Sequence, residues 1–327
     1  MNFLEIAILR WYSANLTASF AAGRFPFGLA FDGGNIWVAN NSDNNVTKLR
    51  ACDGANLGTF AVGTFPEGVA FDGTSIWVTN FGSNNVTMLR ASDGTSLGTF
   101  GAGTGPEGVV FDGANVWVAN SGSNNVTKLR ASDGANLGTF AAGNQPRAVA
   151  FDGAHIWVTN RMSNNVTKLR ASDGANLGSF AAGPGPVAAA FDGTNIWVSN
   201  NGNSTVTKLR ASDGSLVGTF TVGFQPLGIL FDGANIWTAN RGDGTVTKLR
   251  ASDGAVLGTF PAPAEPYGIA FDGANIWVAG APYVFEFRDS DGKQLQMLHL
   301  PDNSTGIAFD GANIWIAMLN TKGVDKL

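Results

Sequence analysis

One ten-residue segment recurs along this chain at a nearly constant interval. It reads FDGANVWVAN at 111–120, and close variants stand at 71–80, 191–200 and 231–240. Successive copies are 40 residues apart, except that the last interval is 38, as the opening phenylalanines show: Phe31, Phe71, Phe111, Phe151, Phe191, Phe231, Phe271 and Phe309. A fixed period of this length predicts a repeat architecture, either a solenoid or a propeller.

Each repeat contains four short segments with strand character, which we name a, b, c and d. In one repeat they are GVVFD (108–112), NVWVAN (115–120), NVTKLRA (125–131) and NLGTFA (136–141). Asp-Gly dipeptides occupy the a-b and c-d turns, where tolerance of positive φ favours tight hairpins. Four antiparallel strands per repeat are typical of a propeller blade, and the small residues of strand a suit the crowded axis. The sequence therefore predicts an all-β fold, a single closed β-propeller of four-stranded blades.

A tryptophan recurs at one position of strand b in every repeat. An apolar aromatic in every unit is expected to fill the wedge between neighbouring blades rather than to bind a ligand eight times over. We therefore assign a core role to Trp37, Trp77, Trp117, Trp157, Trp197, Trp237, Trp277 and Trp315.

The ends of strand b carry a family resemblance. WVTN and WVAN, followed by SNNVTKLR, resemble the YVTN-type repeats of bacterial β-propellers and are more distantly similar to the streptogramin (virginiamycin B) lyase propellers. The resemblance covers nearly the whole chain, but it identifies a repeat rather than an activity. For the lyases it implies metal-dependent chemistry at histidine and glutamate residues in the propeller centre, and such propellers often have seven blades.

The repeat count predicts eight blades, with seven as the alternative. Residues 1–20 supply strands c and d, complete units follow from 26 to about 300, and 304–327 begin one further blade. We expect 1–327 to form one domain in which the two termini share a blade, because closing the ring removes exposed strand edges. The final VDKL also aligns with strand c. Either it or NFLEIAILR at 2–10 is then displaced, or the shared blade combines three strands with one.

Differences between the repeats are confined to two connections. The FDGAN and ASDGAN turns hardly change, whereas the d-a connection varies from GRFPF to PAEPY and the b-c connection from NSDN to RGDG. In a four-stranded meander these two loops share one face of the disk. The residue after each d-a proline, or its equivalent, is expected at the channel mouth, which gives the ring Phe27, Glu67, Glu107, Arg147, Val187, Leu227, Tyr267 and Thr305.

This mixed ring predicts a binding surface for a protein partner or a small polar ligand. Aromatic residues and arginines are the groups that most often anchor an interface. The predicted ligand-binding residues are Phe27, Glu67, Glu107, Arg147, Leu227 and Tyr267, with Arg161 and Arg241 from the b-c loops. Neutral drift of unconstrained loops is the competing interpretation.

The sequence offers few candidates for catalysis. His155 lies in an a-b turn and His299 at the end of strand d, so they are expected near opposite faces. Glu67 and Glu107 occupy equivalent positions on adjacent blades, but two acids without a third ligand predict a solvated rim beside Arg147. No histidine belongs to the ring, so the lyase activity is not carried over. We predict a non-enzymatic protein with no cofactor and no metal.

Composition excludes two classes of partner. A net charge of −5 and a pI near 5.0 argue against binding of nucleic acid. The sequence contains no apolar run long enough to span a bilayer, so we expect no membrane insertion. We expect a monomer, and the sequence does not indicate a compartment. The alternatives that remain are a metal-dependent lyase of streptogramin-lyase type and a purely architectural repeat domain of a bacterial surface protein.

The arginine in each strand c is expected to pair with turn aspartates.

Overall fold

The computed structural model describes residues 18–327, and these form eight four-stranded antiparallel sheets arranged in a ring. Seven sheets have the order a-b-c-d along the chain, and the eighth combines both ends of the described region. The predicted all-β, eight-bladed propeller is confirmed. The segment NFLEIAILR lies outside the described residues. Within residues 18–327 there is no helical segment with the length and apolarity needed to cross a bilayer.

The two inner strands of each blade, a and b, form the channel wall and the layer behind it. Strands a of blades 1 to 8 are Pro26–Phe31, Pro66–Phe71, Pro106–Phe111, Pro146–Phe151, Pro186–Phe191, Pro226–Phe231, Ala264–Phe271 and Ser304–Phe309. Strands b are Asn35–Asn40, Ser75–Asn80, Asn115–Asn120, His155–Asn160, Asn195–Asn200, Asn235–Asn240, Asn275–Ala281 and Ile314–Met318.

The two outer strands, c and d, complete each blade. Strands c are Asn45–Arg50, Asn85–Arg90, Asn125–Arg130, Asn165–Arg170, Thr205–Arg210, Thr245–Arg250, Tyr283–Arg288 and Gly323–Lys326. Strands d of blades 1 to 7 are Asn56–Ala61, Ser96–Gly101, Asn136–Ala141, Asn176–Ala181, Leu216–Thr221, Val256–Pro261 and Gln294–His299, and Ala18–Ala21 is strand d of blade 8.

Adjacent strands a approach closely around the axis, and blade 1 packs against blade 8 to close the ring. A Cβ atom at Gly68 would lie 2.5 Å from the carbonyl oxygen of Glu107 on the next blade. At Gly68 only glycine permits this approach without displacing backbone, and the equivalent positions of blades 4 and 5 hold the next smallest residue, as Ala148 and Ala188.

The hydrophobic core lies between blades rather than within them. In one cluster Trp117 and Val126 of blade 3 pack against Ile156, Val158 and Leu169 of blade 4. Equivalent clusters follow around the ring, and their tryptophans are buried, as the sequence predicted. Each blade therefore depends on its neighbour for most of its apolar burial.

The aspartate of each FDG turn has a second role in this core. Asp112 accepts hydrogen bonds at Oδ1 from the backbone N–H groups of Ala114 and Asn115, 2.9 and 2.6 Å away. Its Oδ2 accepts the indole N–H of Trp117 at 2.7 Å. One carboxylate thus forms the a-b turn and satisfies the buried tryptophan, so FDG and Trp recur together.

A buried lysine links most adjacent blades. Lys128 lies 4.9 Å from the centroid of the Trp117 ring and donates to the carbonyls of Ala171 and Ser172 on blade 4, at 2.7 and 2.9 Å. Burial lowers the pKa of Lys128, and nearby Asp112 and Asp173 oppose that shift. Blade 2 has Met88 at this position, so the clamp is absent there.

The closing blade combines three strands from the end of the chain with one from the start. Gly323–Lys326 occupies position c, and Ala18–Ala21 pairs with it antiparallel, Phe20 opposite Val324. Of the arrangements left open by the sequence, the described residues form three plus one, with VDKL in the sheet rather than displaced. Phe20 packs 5.6 Å from the Trp315 ring centroid, and Ser19 donates to Asp325 at 2.6 Å.

Hydrogen bonds assign the loops to two faces. The b-c loop bonds to the d-a connection, as Asn41 N–H donates to Phe25 O at 2.9 Å. On the other face the c-d turn bonds to the a-b turn, as Ala51 N–H donates to Gly34 O at 2.9 Å. We name these the variable face and the turn face. On the turn face the strand c arginines bind turn aspartates as predicted, for example Arg50 to Asp53 at 3.0 Å.

Candidate binding site at the channel mouth

The ring residues sit in a bulge at the start of each strand a. In blade 3 Pro106 pairs with Asn120, and regular pairing resumes only at Val109 with Val118. The same interruption occurs in the other blades, although in blades 5, 7 and 8 its length or sequence differs. A bulge releases a side chain from the alternation of the strand. Glu107 and its equivalents are placed in this way at the mouth of the channel.

Three charged side chains meet on consecutive blades. Arg147 Nε lies 3.5 Å from Glu107 Oε2, and both side chains are partly exposed. Glu67 is more deeply placed. Its burial, followed by the negative charge of Glu107, raises the pKa of Glu67 to about 7, while Arg147 acts in the opposite direction. The sequence placed the two glutamates on adjacent blades and predicted a solvated rim, whereas Glu67 is half-buried.

An aromatic pair lies at the same mouth, with one member on the blade next to Glu67. The rings of Phe27 on blade 1 and Tyr267 on blade 7 meet edge to face with centroids 6.2 Å apart. Burial raises the pKa of the Tyr267 hydroxyl, Arg147 opposes the rise, and Glu67 adds to it. Residues 120 positions apart in the sequence, Arg147 and Tyr267, therefore act on each other across the channel.

The remaining ring positions contribute less surface. Leu227 is half-buried, and its carbonyl accepts a hydrogen bond from Ser199 Oγ at 2.8 Å. Val187 is only 6% exposed. Thr305 is also buried, and its hydroxyl donates to the carbonyl of Pro26 at 2.5 Å. Six of the eight predicted ring positions therefore remain available at the mouth, because Val187 and Thr305 pack into the channel wall.

The two predicted arginines from b-c loops lie further out. Arg241 pairs with Glu265 at 2.9 Å, and both side chains are exposed. Arg161 lines a groove of about 450 Å³ between blades 4 and 5, together with Gln145, Met162, Asn164, Gly185, Asn201 and Gly202. The structure therefore separates the eight predicted residues into a central cluster and a rim.

Large apolar side chains are exposed on the same face. Met162 is 65% exposed and Phe65 is 51% exposed; the others are Phe25, Phe81 and Phe224. Phe25 and Phe65 also adopt left-handed backbone conformations, with φ of 56° and 52°, where blades 3 and 5 use Gly105 and Gly185. A non-glycine residue in this region costs about 1 to 2 kcal/mol.

The turn face has grooves of a different kind. One of about 750 Å³ and one of about 520 Å³ lie between adjacent FDG and SDG turns. Most of their lining is common to every repeat, for example Asp112, Asn115 and Ser172. His155 is an exception, and its Nδ1 lies 3.1 Å from Asp152 Oδ2 within its own turn.

The predicted separation of the histidines holds. His155 lies at the turn face, whereas His299 ends a strand d and packs edge to face on Tyr283, with ring centroids 5.2 Å apart. Residues 18–327 contain no group of three or more histidine, cysteine, aspartate or glutamate side chains arranged to hold a metal ion.

Comparisons with known proteins identify the fold but no family. Neither a protein-family model nor a curated protein matches the sequence. The computationally designed Ika8 protein is 13% identical with a TM-score of 0.82, and the match covers 94% of this chain and 98% of that one. Sqt1 of Saccharomyces cerevisiae is 10% identical with a TM-score of 0.82, covering 94% and 97%.

A lyase propeller is also similar. Virginiamycin B lyase from Staphylococcus aureus is 16% identical with a TM-score of 0.67, and the match covers 95% of this chain and 98% of the lyase. At these identities the likeness shows the propeller fold alone.

Several rim residues were missed by sequence reasoning. Gln145, Met162 and Asn201 line the groove beside Arg161, and they belong to the variable GNQP, RMSN and NGNS connections. Their variability was visible, but which loops of adjacent blades enclose a groove depends on the packing of one blade against the next.

Proposed function

We propose that the variable face is a non-catalytic binding surface, centred on the channel mouth, for a protein partner or a small polar ligand. The observation that carries this proposal is the central cluster of Phe27, Glu67, Glu107, Arg147 and Tyr267. Side chains of complementary chemistry from five blades converge there. A concave site with a few convergent polar groups is the usual form of a ligand site.

The strained aromatics of the rim support the same proposal. Phe25 and Phe65 are 40% and 51% exposed and carry positive φ, a conformation that Gln145 and Gln225 share at the equivalent positions of blades 4 and 6. Glycine at the equivalent positions of blades 3 and 5 avoids that strain. Exposed apolar groups that bring no folding advantage are characteristic of recognition surfaces.

Neutral drift explains variety among loops but predicts no spatial focus. Random drift would leave the chemistry of each ring position unrelated to its place in the ring. Instead the acids occupy blades 2 and 3, the base blade 4, and the aromatics blades 7 and 1. This ordered distribution favours a site over drift. The resemblance to YVTN-type repeats agrees with a scaffold that presents loops and assigns no ligand to it.

The test is selection of binders followed by substitution on each face. A displayed random-peptide library and a panel of amino acids, nucleosides and sugars are selected on the full chain. Affinities are then measured for Arg147→Ala, Tyr267→Ala and the matched control Arg170→Ala. Arg170 also pairs with an acid, Asp173 at 2.9 Å, but on the turn face. We expect the two mouth substitutions to weaken binding by about 1 to 3 kcal/mol and the control to leave it unchanged.

Three results would contradict the proposal. Binders whose affinity responds to Arg170→Ala but not to the mouth substitutions would place the site on the turn face. Metal-dependent turnover of a streptogramin that survives the mouth substitutions would favour the lyase alternative. Complete absence of binders from both sources would favour a purely architectural domain.

A further inference from the structure

The charges at the mouth do not balance. Arg147 pairs with Glu107 at 3.5 Å, which leaves Glu67 as the third charged group of the cluster. No hydrogen bond to the Glu67 carboxylate contributes to its pKa, which is determined by burial and by the charges of Glu107 and Arg147. Within residues 18–327 the half-buried Glu67 carboxylate therefore has no donor of its own. It is a site of unmatched negative charge.

The wall near Glu67 is aromatic. Phe27 lies beside Glu67 on the adjacent blade, since a Cβ atom at Gly28 would clash with the backbone carbonyl oxygen of Glu67, and Phe27 packs edge to face on Tyr267. Aromatic faces attract cations, most strongly organic cations that shed their water easily. A carboxylate beside two aromatic rings is a common way to recognise an ammonium group.

We infer that the channel mouth binds a compact organic monocation carrying an ammonium group, held between the Glu67 carboxylate and the Phe27–Tyr267 pair. The inference rests on the proposed function and names the ligand class for the centre of that face. The inference does not assign a ligand to the rim around Arg161 and Arg241.

The charge count favours a single positive charge. Glu107 and Arg147 offset each other, so one cation neutralises the cluster. An anion would meet two carboxylates, and a second positive charge on the ligand would meet Arg147. A hard divalent cation requires six or more oxygen ligands or retained water, and the described residues bring no third carboxylate to the two glutamates.

Proton linkage gives this site a distinct signature. The ammonium group binds the ionised form of Glu67, whose pKa is about 7. Affinity should therefore rise as the pH increases through neutrality and level off above it. The other groups facing Glu67 are Glu107, Arg147 and Tyr267, and the Tyr267 hydroxyl stays protonated in this range because its own pKa is raised.

Calorimetric titration of the full chain with choline tests the inference. The control ligand is 3,3-dimethylbutan-1-ol, which has the same shape without the charge. We expect the alcohol to bind at least about tenfold more weakly, since it lacks the cation–π and ionic contacts. Choline should bind roughly tenfold more tightly at pH 8 than at pH 6, as expected for a carboxyl that titrates near 7.

Variants distinguish the contribution of the Glu67 carboxylate to binding from that of the overall charge of the variable face. Glu67→Gln should abolish both the preference for choline and its pH dependence, and Phe27→Leu should weaken binding. Tyr267→Phe should retain it, because this substitution keeps the aromatic ring. Glu265→Gln is the matched control, an exposed acid of the same face paired with Arg241. Circular dichroism and thermal unfolding verify that each variant is folded.

Three outcomes would overturn the inference: equal binding of choline and the alcohol, an affinity independent of pH, or an equal loss in Glu265→Gln. If selected binders still depend on Arg147 while choline fails to bind, the ligand class is wrong and the proposed function stands. If neither choline nor any selected binder responds to mouth substitutions, both are wrong.

Discussion

The two faces of this propeller are formed by the loops at opposite ends of the same strands, yet the chemistry of the two faces differs. On the turn face each aspartate and arginine repeats one contact, such as Asp112 with the Trp117 indole or Arg130 with Asp133. On the variable face equivalent positions hold an acid, a base, an aliphatic or an aromatic residue. The repeated groups stabilise the ring, whereas the variable groups are available for recognition.

This difference is energetic as well as chemical. The turn-face aspartates accept from buried donors and the lysine clamps donate to carbonyl oxygens, so the loss of either leaves polar groups without partners in the core. The variable side chains mostly meet water or one another, and removing them leaves the core intact. Substitutions that are severe on one side should therefore be mild on the other.

The largest effect is expected in the repeated core. Trp117→Ala removes a fully buried ring that packs on Phe140 and leaves Asp112 without its indole donor. We expect a loss of about 3 to 5 kcal/mol in the free energy of unfolding. Arg161→Ala on the variable face should change it by no more than about 0.5 kcal/mol. Urea denaturation measures both, and similar losses would contradict the division between the faces.

The seam of blade 8 should be the next most sensitive point. Phe20→Ala removes a ring that packs on Trp315 from the strand that closes the ring of blades. We expect a loss of about 2 to 3 kcal/mol, with faster amide exchange in Ala18–Ala21. Phe60→Ala is the matched control, since Phe60 packs equivalently on Trp37 but its strand is joined by a turn to strand c of its own blade, whereas Ala18–Ala21 pairs with a strand c from the far end of the chain.

The control should lose similar stability without local release of its strand. Unchanged exchange at Ala18–Ala21 in Phe20→Ala would show that the aromatic contact is not what holds the closing strand.

Periodicity made most of the fold predictable from the sequence. The strands, the turns, the buried tryptophans and the two faces all follow from local patterns that occur in every repeat. The seam was less predictable, because VDKL and NFLEIAILR both align with strand c and alignment alone does not choose between them. The lysine clamp was also missed, since its acceptors are carbonyls of the next blade.

The candidate site could be predicted only as a set of positions. The sequence placed Phe27, Glu67, Glu107, Arg147 and Tyr267 at one mouth, but it contains no information on which side chains reach across the channel. Val187 and Thr305 occupy equivalent positions and are buried instead. The burial that raises the pKa of Glu67 is a property of the assembled ring, so no local pattern foretold it.

Glu67→Gln should stabilise the protein at neutral and alkaline pH. This effect is smaller than the losses expected for Trp117→Ala and Phe20→Ala, and it has the opposite sign. Because the folded pKa of about 7 exceeds the ordinary value of 4.5, ionisation penalises the folded state. That penalty is absent in acid, develops as the pH rises from 4.5 to about 7, and is complete above it. After allowance for solvent screening we expect a gain of about 1 to 2 kcal/mol at pH 8.5 and little change at pH 4.

Thermal unfolding of Glu67→Gln and the wild type across this pH range measures the effect. Glu265→Gln is the control, because Glu265 is exposed and paired with Arg241. A parallel pair of stability curves would show that Glu67 titrates in its ordinary range and that the mouth is fully hydrated.

The smallest effect concerns a second departure from the repeated pattern of the turn face, in blade 7. Asp289 stands where blade 6 has Ala251. Burial, together with the hydrogen bond and negative charge of Asp232, raises the pKa of Asp289. The carboxylate also receives the Trp237 indole N–H at 3.1 Å and lies 3.5 Å from Lys248 Nζ, which partly offsets the cost.

Asp289→Ala should therefore stabilise the folded state by about 1 kcal/mol above the ordinary range of aspartate and by less in acid, where the folded carboxyl holds its proton. Lys248 keeps its carbonyl acceptors at residues 289 and 290, so the clamp survives the change. The reverse substitution in blade 6, Ala251→Asp, should lower stability at neutral pH by placing a carboxylate beside the FDG aspartate of blade 5, Asp192. If Asp289→Ala instead destabilises the protein at every pH, the contacts with Lys248 and Trp237 outweigh the carboxylate repulsion, and the departure from the repeat is itself a stabilising feature of the turn face.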